Sequence, residues 1–198
     1  MGTMTPKQVV DRFKKAGCES LSGPGSSYAA TIQARSFIQE TLNDQRYGIK
    51  TVFDAPCGDW NWMQHVDLSN VRYVGLDIVD TIIKENKKKH GHRNNVIFHT
   101  GDITTFDIGI IDLFICRDFM FHVSFETSLK ILTRYKYRYL IAPSWSNTVN
   151  VYDFKGYHYE HREINLEMPP FNLEVLSYIK EIHPSCQCRK LYLFKGNI

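Results

Sequence analysis

The chain has 198 residues, enough for one hydrophobic core and too few for two full domains. Its 43% hydrophobic and 23% charged content excludes a disordered or fibrous polypeptide, and a net charge of only +3 does not make nucleic acid the default partner. The five cysteines form an odd set in which Cys57 and Cys116 sit within apolar, strand-like sequence, so no disulfide framework is expected; Cys186-Gln187-Cys188 lacks the spacing and second pair of a zinc site, so no metal is expected.

Thr5 and Pro6 are the residue types that begin a helix, and Val9, Val10 and Phe13 follow at helical spacing until Gly17 stops the pattern. A Gly, Pro and Ser-rich loop over 20–27 then feeds a second helix predicted over 28–42. From residue 50 short apolar runs alternate with polar stretches. Strands are predicted over 51–55, 73–77, 96–99, 111–116 and 139–142, with helices over 81–89 and 125–135. This grammar is that of a doubly wound, mostly parallel sheet of Rossmann-like type. Residues 143–172 are aromatic and polar with little periodicity, which in a compact domain marks a functional insertion. The tail over 173–198 reads best as two strands joined at 183–185, an antiparallel hairpin that completes a seven-stranded sheet, although 173–182 also passes as a helix. A single domain over 1–198 results.

The N-terminus lacks the apolar segment of a signal peptide, and no run of 18 apolar residues exists; a soluble, cytoplasmic protein without membrane insertion is expected. Lys84, Lys87, Lys88, Lys89, His90, His92 and Arg93 crowd together, a pattern more often the solvated end of a surface helix than a phosphate-binding patch.

Chemistry concentrates where the strands end. The first runs into Asp54-Ala55-Pro56-Cys57-Gly58-Asp59-Trp60, an acid followed by a turn in which a glycine lets backbone approach a ligand. A dinucleotide site would need three glycines to cradle a pyrophosphate, and this loop has one. Asp77, with Ile78 beside it, ends the second strand, where an acid accepts hydrogen bonds from ribose hydroxyls. Asp102 and Ile103 follow the third. The pattern reads as adenosine without pyrophosphate.

These residues resemble the class I S-adenosylmethionine-dependent methyltransferases over about residues 50–142. In that family the loop after the first strand cradles the methionine part, the second acid takes the ribose and the third the adenine amine. The resemblance therefore implies a cofactor site of Asp54, Ala55, Pro56, Gly58, Trp60, Asp77, Ile78, Asp102, Ile103, Cys116 and Arg117. Pro56 and Trp60 stand where the common family loop has glycines. The run Asp-x-Pro-Cys-Gly-Asp is similar to a subgroup of small bacterial-type methyltransferases, some associated with glycans, which carry a Gly/Ser-rich segment and an arginine upstream. Here those are 23–27 and Arg35, the latter a partner for the methionine carboxylate, with residues 1–45 closing over the cofactor.

The fourth strand ends at Cys116-Arg117-Asp118, with His122 four residues on. Methyl transfer is an in-line displacement that requires alignment and removal of the acceptor proton, and Asp118 and His122 are the candidate bases, with Arg117 orienting the acceptor. Trp145, Tyr157, His158 and Arg162 supply the aromatic faces and polar tips that suit a sugar ring. The expected reaction is O-methylation of a small acceptor, a sugar or sugar nucleotide, by a monomer or homodimer. The rival readings are RNA methylation through the Lys84 to Arg93 cluster and a non-catalytic S-adenosylmethionine-binding module.

Overall fold

The computed structural model describes residues 4–153, 162–181 and 189–198. The first helix, α1 (Pro6–Lys15), opens on a reciprocal cap in which Gln8 and Thr5 exchange side-chain and backbone hydrogen bonds. Gly17, in the left-handed region at φ 66°, follows its end. The second helix, α2 (Ile32–Asn43), begins later than the apolar pattern indicates, because the Thr31 hydroxyl bonds back to the carbonyls of Ser27 and Tyr28 and holds that stretch in turns.

The alternating region forms β1 (Thr51–Asp54), β2 (Arg72–Asp77), α3 (Asp80–His90), β3 (Val96–Thr100), β4 (Ile111–Ile115), α4 (Phe125–Arg134) and β5 (Tyr137–Trp145), followed by β6 (Val175–Lys180) and β7 (Arg189–Lys195). All seven strands lie in one sheet of order β3-β2-β1-β4-β5-β7-β6. The first five are parallel neighbours, and β7 runs antiparallel to both β5 and β6. The fold is thus a single-domain α/β structure with antiparallel C-terminal strands, and the helical reading of 173–182 gives way to β6, whose residues alternate in exposure. The turn at 183–185, Cys186 and Cys188 lie outside the described residues.

Both faces of the sheet are covered, so successive residues of a strand enter different cores. Phe53 and Phe114 pack with Tyr135 and Phe194 on one side, while Val52, Leu113 and Ile115 pack with Ile38, Trp60 and Leu193 on the other. No helix covers 101–110 between β3 and β4. That loop is pinned from a distance instead: Arg134 donates to the Phe106 carbonyl at 2.9 Å, the Tyr135 hydroxyl to the Ile103 carbonyl at 2.6 Å, and Phe106 stacks on Phe53.

The strand order reverses between β1 and β4. Connections leave β1 toward β2 and β3 and return to β4 and β5, and such a reversal leaves a crevice at the carboxyl ends of the strands. No helix among the described residues is long and apolar enough to cross a membrane.

Candidate active site

A cavity of about 310 Å³ occupies that crevice. Its floor is the loop after β1. Asp54 is 2% exposed and accepts a hydrogen bond from the Tyr73 hydroxyl at 2.5 Å; burial pushes its carboxyl up to about 7, against the pull of that hydrogen bond. The Cys57 amide bonds to the Leu76 carbonyl at 2.8 Å, which draws the loop against β2. Gly58, at φ 56°, then donates its amide to Asp77 Oδ2 at 3.0 Å, and the Val79 amide donates to Oδ1 at 2.9 Å. Burial raises the Asp77 carboxyl and these two amides oppose it. Each oxygen still has room for another donor, so Asp77 can serve a ligand while it shapes the loop.

A Cβ at Gly58 would lie 2.1 Å from Ser22 Oγ, because the segment over 20–27 lies against this loop. Asp59 holds the segment there. Its carboxylate accepts from Ser20 Oγ at 2.8 Å, the Leu21 amide at 2.6 Å and Ser22 Oγ at 3.2 Å, and its own amide donates to Ser22 Oγ. Leu21 to Ser26 consequently border the cavity, as do Pro6, Val9, Val10 and Phe13 of α1. No residue of α1 is buried, so its apolar face is spent on this opening.

The opposite wall begins at the end of β4. Asp118 sits in the left-handed region at φ 59° and pairs with Arg117 at 3.1 Å and with Arg189 from the start of β7. Burial alone would raise its carboxyl, but the two guanidiniums outweigh it and hold the group below the ordinary carboxylate range. Glu181, just beyond β6, closes the circuit with Arg117 at 3.0 Å and Arg189 at 2.7 Å. His122 also lines the cavity, on a short turn of 3-10 helix over Met120–His122. Trp145 borders it too and meets Phe121 edge to face at 5.4 Å.

The structure therefore brings Asp54, Pro56, Gly58, Asp77, Ile78, Arg117, Asp118, His122 and Trp145 together around one cavity. Other candidates stand elsewhere. Ala55, Ile103 and Cys116 are packed in the core, and the Trp60 ring points away into the opposite core, between Tyr73, His90 and Phe98. Asp102 turns back on its own chain, accepting from the Thr104 amide at 2.7 Å and hydroxyl at 2.8 Å, and is not part of the wall. Arg35 lies 3.6 Å over the Tyr28 ring and donates to the Tyr28 carbonyl, also away from the wall. Arg162 bonds to the Val123 carbonyl at 2.7 Å and pairs with Asp153, supporting the 120–125 segment from behind. Tyr157 and His158 lie outside the described residues.

Two wall features have no motif in the sequence. Arg189 lines the cavity and Glu181 backs it, each beside a lysine at a strand end, and only the antiparallel placement of β7 against β5 and β6 carries them to Arg117. The basic cluster stays apart: Lys84 pairs with Asp80 one turn back, Lys87 to Lys89 are exposed at the end of α3, and His90 and Arg93 fold onto the Trp60 ring. Among the described residues, Cys18, Cys57 and Cys116 are free thiols, and no cluster of three His, Cys, Asp or Glu side chains is placed to hold a metal ion.

Solved structures of similar fold include methyltransferases. Magnesium protoporphyrin IX methyltransferase from Synechocystis PCC 6803, solved with S-adenosylhomocysteine, superposes with a TM-score of 0.66 at 15% identity over 98% of this chain and 100% of its own. An S-adenosylmethionine-dependent methyltransferase from Clostridium acetobutylicum ATCC 824 gives 0.61 at 15% identity over 97% and 98%. Phosphoethanolamine N-methyltransferase 1 of Haemonchus contortus gives 0.62 at 13% identity, over 98% of this chain and 51% of its own. No family model matches the sequence, and no curated protein matches it either. The chain has the fold of these methyltransferases.

Proposed function

We propose that the protein is an S-adenosylmethionine-dependent methyltransferase that methylates a hydroxyl of a small acceptor, a sugar or sugar nucleotide. The observation that carries this reading is the convergence of Asp54, Gly58 and Asp77 on one side of a single cavity with Asp118 and His122 on the other. When bound, S-adenosylmethionine supplies a methyl group on a positively charged sulfur, an electrophile that needs alignment more than activation.

The residues present fit that group in part. Asp77 offers lone pairs to ribose hydroxyls while its two amide bonds fix it in place. Asp54 and the Pro56 to Gly58 backbone take the methionine end, under the segment held by Asp59. Asp102, with one carboxylate oxygen on Thr104, and Arg35, over the Tyr28 ring, lie outside the cavity wall and take no part in this reading.

At the acceptor end, His122 is the base, because Asp118 is held ionised between two arginines and has little affinity for a proton. Asp118 instead accepts a hydrogen bond from a neighbouring hydroxyl of the acceptor, which leaves the proton of the reacting hydroxyl to His122. Trp145 forms the acceptor wall, its ring set against Phe121.

The test is a screen of nucleotide sugars and glycan fragments for formation of S-adenosylhomocysteine. Turnover with one of them is the expected result. A silent panel with a positive RNA control transfers the assignment to the exposed Lys87 to Lys89 surface, and no turnover alongside tight binding of S-adenosylmethionine leaves a binding module.

A further inference from the structure

Two arginines and two carboxylates form a closed ring at the end of the sheet. Each carboxylate divides its two oxygens between the two guanidiniums: Asp118 Oδ2 meets Arg117 and Oδ1 meets Arg189, while Glu181 Oε1 meets Arg117 and Oε2 meets Arg189. Both arginines and Glu181 are almost completely buried, with side-chain exposures of 3 to 4%. Buried charges persist when each is matched, and the alternation in this ring matches them, with hydrogen bonds from Arg117 to Glu181 and from Arg189 to Asp118. Among the described residues, hydrogen bonds lead from the ring to the cover. Arg117 donates through both terminal nitrogens to the Gly25 carbonyl at 3.3 Å, and Gly25 lies in the segment that covers the cavity.

Four separate parts of the chain meet here: the loop after β4, the end of β6, the start of β7 and the N-terminal segment. Glu181 touches neither the cavity nor the segment, yet it fixes the orientation of the guanidinium that does. We infer that Glu181 and Arg189 are positioning residues: they lock Arg117 so that one buried ring both latches the 20–27 segment over the methyl-donor side and presents Asp118 to the acceptor side. Closure over the donor and readiness for the acceptor are then a single structural event. The inference rests on the functional reading above for the identity of the donor, while the latch itself is a property of the fold.

The variants Glu181→Asp, which keeps the charge but is too short to span both arginines, and Glu181→Gln/Arg189→Gln, which restores charge balance without the span, test it on the full chain. S-adenosylhomocysteine binding is measured by calorimetry and amide hydrogen exchange by mass spectrometry. In both variants affinity should fall by about tenfold, the size of one lost charge-assisted hydrogen bond, and exchange should quicken in residues 20–27 while that of β1 to β4 is unchanged. A ring that serves only to balance charge would instead let the double variant recover wild-type affinity and exchange, and that result would overturn the inference. So would unchanged behaviour of Glu181→Asp. If the wild-type protein binds no S-adenosylhomocysteine, the functional reading fails, and the exchange at 20–27 still decides the latch.

Discussion

Asp118, partly exposed, and Asp54, buried, are carboxylates on the wall of one cavity, and their surroundings drive them in opposite directions. Two guanidiniums keep Asp118 charged, whereas at Asp54 burial outweighs the Tyr73 hydroxyl and the more weakly felt Arg117. The sequence shows two aspartates at strand ends and gives no means of telling them apart, because Arg189 and Tyr73 reach them only through the sheet. Division of labour follows. His122→Ala should reduce kcat by about 10²- to 10⁴-fold, the usual contribution of a general base, with S-adenosylhomocysteine affinity nearly unchanged in calorimetry. Asp118→Asn should act chiefly on acceptor KM, and a loss of kcat in Asp118→Asn that His122→Ala does not share would return the base to Asp118. Asp54 carries a pH signature that needs no acceptor. Its folded pKa of about 7 lies above the unfolded value of about 3.9, so its contribution to stability is complete below about pH 4 and is lost as pH rises through 7. Asp54→Asn lacks that loss. The difference in melting temperature, variant minus wild type, should therefore grow in favour of the variant between pH 5 and pH 8; a difference that is flat across this range contradicts the assignment.

The N-terminal cover and the loop after β1 form one working unit, although more than 30 residues separate them in sequence. Their composition was informative: a Gly/Ser-rich segment near the start and a lone glycine after the first strand both point to close backbone approach. The contact between them was not, since Asp59 looks like any turn residue until its three bonds to Ser20, Leu21 and Ser22 are seen. The same logic explains Asp102. The arginine and tyrosine at the end of α4 pin the 101–110 loop, and within it one oxygen of the Asp102 carboxylate accepts from the Thr104 amide. Gly58→Ala tests the unit. A side chain at φ 56° carries a backbone strain of about 1 to 2 kcal/mol, and its Cβ also collides with Ser22. S-adenosylhomocysteine affinity should fall at least tenfold, and Gly58→Ala/Ser22→Gly should recover most of the affinity while the loss in melting temperature remains, because only the collision is relieved.

At the scale of the molecule, the sheet was the most legible part, since apolar runs of strand length separated by helix-compatible segments have few other ways to bury both faces. The stretch after β5 was the least legible. Its register depends on contacts such as Asn150 with the Asn165 backbone, and these leave no periodic trace. This contrast implies that the core and the site can be perturbed separately. Phe53 lies on the central strand, its ring 5.5 Å from Phe114 and 5.0 Å from Tyr135 on the face opposite Val52. Phe53→Ala opens a cavity that costs about 3 to 5 kcal/mol, a large part of the roughly 5 to 15 kcal/mol that holds a domain together. For a chain of this length the melting temperature should drop by about 6 to 20 °C. Yet Asp54, Gly58 and Asp77 are fixed by backbone amides and the Tyr73 hydroxyl, none of which contacts the Phe53 ring. Below its transition, Phe53→Ala should therefore bind S-adenosylhomocysteine within about threefold of wild type, whereas the milder Gly58→Ala should not. Calorimetry at 15 °C on both variants checks this, and parallel losses of affinity and stability would mean that the site owes its geometry to the core beneath it and not to the strand ends.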